Sequence, residues 1–380
     1  MGNLQLHARR LTAVVVAAAL AFPGTAYAQV LVDGTELLDG ANAVGGGTAT
    51  YGSGSLGMEN VTATNVSTDE SLDVSFNGGN DINDFQVTGD ANVTVDFSGD
   101  NSVEDIEAYD NSNLTVNLNS HDDCEDIEAY NNSSLTVNVT GETGCEAITG
   151  YDDASVTVQG TTCPRADVIT VGEGEASERI GTERGDLVIK DATVVMDSKE
   201  AKVSSTEGNV SVYCSKISGG DDNERTDIYA GGDLFVGGSV IDVEGTMSSD
   251  GEMTIRRSDV DVTKPDGDSN PYRVWSKTGI NLIEELNGEV RDGKIGDTPV
   301  KYLKTDDDDA GDKVHLVSAI KPCYYTKCES DGGPDGGDSN RAKKLPITGD
   351  ANESALPAMV LGCGVALVAL DIRRRQSAQQ

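Results

Sequence analysis

The amino-acid sequence predicts an all-β chain, a parallel β-helix (β-solenoid) of about ten coils. Three observations predict it. Five segments, 72–76, 93–97, 114–118, 135–139 and 156–160, start 21 residues apart, and each alternates apolar and polar residues at the period of a half-buried strand. Other residues keep the same spacing: Phe85, Ile106, Ile127, Ile148 and Ile169 form one column, and Tyr109, Tyr130 and Tyr151 another. Gly, Asn and Asp fill the intervals, as turns require. One coil cannot bury its own apolar side, but stacked coils enclose a narrow core lined by like residues. β-Branched residues at period two, with no long 3.6-residue period, exclude helices. At about 4.8 Å per coil the rod is on the order of 50 Å long.

Residues 1–28 read as a secretory signal peptide. Arg9 and Arg10 supply the positive start, a short apolar run follows, and Ala26-Tyr27-Ala28 supplies small residues for cleavage. The arginine pair also admits twin-arginine export, with ordinary secretion the plainer reading.

Residues 29–328 are the solenoid, with regular 21-residue coils over 29–176 and irregular coils plus a cap over 177–328. The regular part is extremely acidic. The chain has a net charge of −37, and from Gln29 to Pro164 it contains no Lys or Arg. Such a surface repels nucleic acid and anionic lipid, which excludes both as direct partners. Stacking turns the repeat into acid columns: Asp84, Asp105 and Asp126 in one, Glu104, Glu125 and Glu146 in the next, and Glu107 with Glu128 in another. Like charges one rung apart repel. Either solvation with raised pKa values or bound Ca²⁺ relieves them, so Asp84, Asp105, Asp126, Glu104, Glu125 and Glu146 are candidate calcium ligands. Outward Thr94, Thr115, Thr136 and Thr157 run beside Asp96, Asn117, Asn138 and Gln159. That polar ladder can dock sugars or simply stabilise the sheet.

Six cysteines outside the C-terminal apolar tail form an even set, which in an exported chain points to disulfides. Cys124 and Cys145 share a column and are expected to pair. Cys323 and Cys328 could close a small loop, which leaves Cys163 for Cys214. Zinc is the rival reading, but no CxxC pair or paired His supports it.

The irregular half repeats a pattern of Gly, an acidic or amide residue, apolar-x-apolar, and Ser or Ala three residues on. Copies start at Gly185, Gly208, Gly232 and Gly251, and a degenerate one at Gly279. This resembles the β-helix modules labelled carbohydrate-binding in secreted bacterial proteins, and the resemblance implies a right-handed helix and glycan binding. Loops of variable length leave one edge of these coils. On one of them Trp275 and Tyr272 could form a sugar platform or a buried plug.

Residues 329–344 form a Gly/Asp-rich linker. Residues 345–380 open with Leu345, Pro346, Ile347, Thr348 and Gly349, followed by an apolar membrane-spanning stretch and Arg373-Arg374-Arg375. This arrangement is similar to the sorting signal of sortase substrates, the LPxTG surface proteins of Gram-positive cell walls. It implies that a sortase joins Thr348 to peptidoglycan and that the chain meets the membrane only before sorting. The expected product is a non-catalytic adhesin or glycan-binding protein on the cell surface; the alternatives are a ligand-free stalk and a polysaccharide lyase or hydrolase. A lyase needs an Arg or Lys base, and Arg256, Arg257, Arg273 and Lys277 are available only in the irregular half.

Overall fold

The computed structural model describes residues 29–326, apart from 120–121, 163, 173–177, 220–224, 266–267, 285 and 306–311. The expected signal peptide, linker and sorting motif, and Cys163 and Cys328, lie outside the described residues.

The chain is a β-solenoid of about nine turns, built from stacked parallel sheets. A first sheet runs from Thr62–Thr68 through Asp81–Val87, Asn101–Ala108, Asp122–Ala129 and Ala147–Gly150 to Val274–Ser276. A second runs from Ser55–Glu59 through Leu72–Asn77, Asn92–Ser98, Asn113–Asn119, Ser134–Thr140 and Ser155–Gly160 to Gly279–Ile283. Inward columns form the core. Val74, Val95, Val116, Val137 and Val158 continue in register into Ile189, Val212, Val236 and Ile255. All nine are fully buried. Phe85, Ile106, Ile127 and Ile148 form the facing column, and its next member is Ile180. Ile169, expected there from its 21-residue spacing, lies in a different sheet.

That sheet is the main departure from the sequence reading. In the regular coils, Asn101–Ala108 bends in its middle: Glu104 and Asp105 both face out between the buried Val103 and Ile106. One coil beyond Asp122–Ala129, the equivalent stretch is two strands, Glu142–Cys145 and Ala147–Gly150, with Glu146 at the break. Glu142–Cys145 pairs with Val168–Val171 and founds a third sheet, which continues through Thr193–Met196, Lys216–Gly219 and Val240–Glu244 to Asp259–Thr263. The cross-section thus changes from two long sides to three short ones at residue 142, inside the stretch expected to be uniform.

Corner residues set these bends. Gly89, Asp110, Asn131 and Asp152 hold positive φ where the first sheet turns into the second. Asp191, Cys214, Gly238 and Arg257 hold it where the second turns into the third. Asp and Asn tolerate this conformation because their side chains bond the local backbone.

Antiparallel strands close both ends. Val30–Val32 lies on Thr62–Thr68, and the hairpin Gly40–Val44/Gly47–Gly52 lies on Ser55–Glu59. At the other end Thr298–Lys304 covers Val274–Ser276 and Lys313–Leu316 covers Asp259–Thr263. Their pairing occupies backbone groups that would otherwise template further strands.

The structure pairs Cys214 with Cys323, 109 residues apart in sequence and 5.1 Å between Cα atoms. This replaces the expected Cys163–Cys214 and Cys323–Cys328 links. Cys124 and Cys145 are both buried and no disulfide joins them, contrary to the expected staple. The cause is the new sheet: Cys145 pairs with Val171, while Cys124 pairs with Val103 in the first sheet.

Candidate functional site

The outer face of the first sheet carries the acid columns in register. Asn65, Asp84, Asp105, Asp126 and Ala147 form one, and Ser67, Gln86, Glu107, Glu128 and Thr149 the other. Burial, followed by repulsion from Asp126, Glu107, Asp84 and Glu128, pushes the Asp105 carboxyl up to about 7. Burial also raises Asp84, against a hydrogen bond from Asn65. It raises Glu107 as well, although Tyr109 and Gln86 donate to that carboxylate at 2.8 and 2.7 Å. Glu128 accepts from Tyr130 and, at 3.0 Å, from Tyr151. Glu104 and Glu125 are exposed at the bend and Glu146 is half-buried at the break.

These carboxylates are displaced from rung to rung along a line, whereas a calcium cage needs six or more oxygens around one point. Among the described residues no three His, Cys, Asp or Glu side chains form a group that could hold a metal ion.

Both columns end in small residues, Ala147 and Thr149, and the following rung has Gly181 opposite Thr149. The loss of side-chain volume opens a groove of about 660 Å³. Asp126, Glu128 and Glu146 line one end, all acidic, and Glu178, Arg179, Glu200 and Lys202 line the other, where acids and bases mix. Arg179 Nε donates to Thr149 Oγ1 at 3.3 Å, and its guanidinium lies 5.2 Å over the Tyr151 ring. The groove thus sits where the chain passes from base-free to mixed charge, on the seam between two and three sheets.

The tyrosine column borders it. Tyr109, Tyr130 and Tyr151 stack at 4.7 and 4.8 Å, nearly parallel. Tyr130 is stacked on both faces and Tyr151 lies between Tyr130 and Arg179, so the rings pack as a wall. Burial, with the adjacent glutamates, drives the Tyr109 and Tyr130 hydroxyls far above their ordinary range, so both donate as neutral phenols.

The other candidates fall elsewhere. Trp275 lies within Val274–Ser276, facing Tyr302 of the cap, with its indole nitrogen buried. Tyr272 stacks on Tyr302 at 4.1 Å and accepts from the Lys294 N–H. The two residues belong to the cap contact and are remote in sequence and sheet position from the groove. Asn117, Asn138 and Gln159 each donate to the rung before, at 2.6, 2.6 and 2.7 Å, so this polar ladder is consumed within the sheet.

The Gly–Asx–Ser pattern is consumed in the same way. A Cβ on Gly185 would lie 1.9 Å from Ala154 O, and one on Gly208 2.2 Å from Gly185 O. Asp186, Asn209 and Asp233 each accept the backbone N–H of the next rung at 2.7–2.9 Å. Ser215, Ser239 and Ser258 bridge successive rungs of the corner at 3.1–3.3 Å. The bases a lyase would need are also engaged. Arg256 and Arg257 hold Glu284, Lys277 holds Asp250 at 2.5 Å, and fully buried Arg273 holds Asp268 at 2.7 Å.

Sequence reasoning missed the groove, although a signal existed: the acid columns stop at Ala147 and Thr149 just before the first base, Arg165. No protein-family model, curated protein or solved structure matches the chain.

Proposed function

We propose that this chain is a cell-wall surface protein, joined by a sortase through Thr348 to peptidoglycan, whose solenoid binds a glycan in the groove between Asp126 and Lys202 without catalysing its cleavage. One observation carries the binding reading: a groove of about 660 Å³ with carboxylates at one end and Arg179 and Lys202, beside Glu178 and Glu200, at the other. Sugar hydroxyls, and an amine or carboxylate substituent, find donors and acceptors there in one cleft. The attachment reading is supported by the LPxTG signal and the secretory start. The engaged state of Arg256, Arg257, Arg273 and Lys277 supports binding over lyase chemistry.

A glycan array probed with residues 29–344 tests the reading, using Ala147→Trp to fill the groove. Capture of a defined glycan set by the parent, and at least a tenfold loss in Ala147→Trp at unchanged melting temperature, is expected. Retained capture in a folded Ala147→Trp places the ligand elsewhere. No capture by the parent leaves a stalk.

A further inference from the structure

The described chain does not leave from the end of the coil stack. After Lys313–Leu316 it turns back along the corner between the second and third sheets. Ser318 N–H donates to Asp259 Oδ1 at 3.0 Å, and Tyr324 N–H to Gly238 O at 3.1 Å. Cys323 is bonded to Cys214, Tyr324 Oη lies 3.0 Å from Thr193 Oγ1, and Arg165 donates to Tyr325 O at 2.8 Å. Asp259, Gly238, Cys214, Thr193 and Arg165 belong to five successive coils, contacted in reverse order of the chain. Tyr324 is buried, and a Cβ on Gly238 would lie 2.2 Å from Cys323 Sγ, so the corner is shaped to seat this segment.

We propose that residues 318–326 are a force-bearing strap. Tension applied beyond Thr326 peels Tyr325 and Tyr324 and then meets the disulfide, which hands the load to Cys214. Residues 215–322 lie inside the closed loop and stay unloaded. Without the bond the same pull would peel Ser318 and then strip Lys313–Leu316 from the edge of the third sheet. Arg165 and Arg179 share one coil, so load entering near this point reaches the groove through few rungs. The purpose of such a strap rests on the wall-attachment reading; its mechanics do not.

Peptide mapping without reductant, followed by single-molecule pulling between handles at residues 29 and 344, tests it. The mapping is expected to recover Cys214 joined to Cys323. Under load the oxidised chain should extend short of its full contour, and reductant on the folded protein, or Cys214→Ser, should add about 36–39 nm, the loop of 109 residues at 3.3–3.6 Å each. Cys214 recovered in another linkage, or equal contour lengths with and without reductant, overturns the proposal. Loss of glycan capture would leave this result untouched.

Discussion

The coils of 55–140 and those of 142–283 enclose cores of the same kind by different means. The first set repeats every 21 residues and has two long sides, such as Asn101–Ala108 and Asn113–Asn119. The second repeats irregularly and has three sides of about four residues, such as Leu187–Lys190, Thr193–Met196 and Arg179–Thr182. Regularity in the first set stacks carboxylates on carboxylates. In the second set, Gly, Asx and Ser ladders tie each rung to the next, and bases such as Arg184, Arg225, Arg256 and Lys277 are paired with acids. The more periodic half thus carries the carboxylates that burial drives toward protonation.

The largest expected effects come from the core and the strap. Ile127→Ala should cost about 2–5 kcal/mol, because a buried column between two close-packed rungs cannot collapse around the cavity. Neighbour-coupled coils should confine the damage to the two-sheet half, visible as faster amide exchange there than over 187–262. Uniform loss across both halves would show one cooperative unit. Removing the disulfide by Cys323→Ser should cost about 2–5 kcal/mol, read as a lowered melting transition of the three-sheet half alone.

A smaller effect separates the halves by pH. Asp105 titrates near 7 in the fold against 3.8 in the unfolded chain, so between these values the folded state holds more protons. Stability should rise as pH falls from 8 toward 4, by about 1 kcal/mol or less, since the carboxyl is half-exposed and screened. Against burial, Asp268 is held low by the Asn270 N–H and then by Arg273, and Glu284 by Arg257 and Arg256; both act in the opposite sense and lose their contribution in more acidic solution. Melting curves of the parent and Asp105→Asn check this: the variant should be the more stable at pH 8 and show a smaller rise, the remainder coming from Asp84 and Glu107. Equal slopes would refute it. Millimolar Ca²⁺ added at pH 8 decides whether an ion can replace the proton; a stabilisation abolished by Asp105→Asn would put one there.

The smallest expected change is Thr115→Ala, on the half-buried outward row of the second sheet. It should alter stability by no more than about 0.5 kcal/mol, because the adjacent Asn117 ladder holds the rungs. A drop above about 1 kcal/mol in chemical denaturation would give the threonine row a structural role of its own.

The 21-residue period and its inward apolar alternation, read from residues such as Val95, Val116 and Val137, determined a parallel solenoid, its core columns and the stacking of Asp84, Asp105 and Asp126. These follow from local periodicity, which needs no knowledge of distant contacts. Tertiary structure alone decided the rest. The break at Glu146 diverted Ile169 and Cys145 into a third sheet, because a corner in one coil fixes which residues of later coils they meet. The strap brought Cys323 to Cys214 two coils below the last rung of the third sheet, a contact no spacing in the chain encodes. The groove arose from what Ala147 and Thr149 lack, and a missing side chain acquires meaning only when larger neighbours are stacked on either side of it.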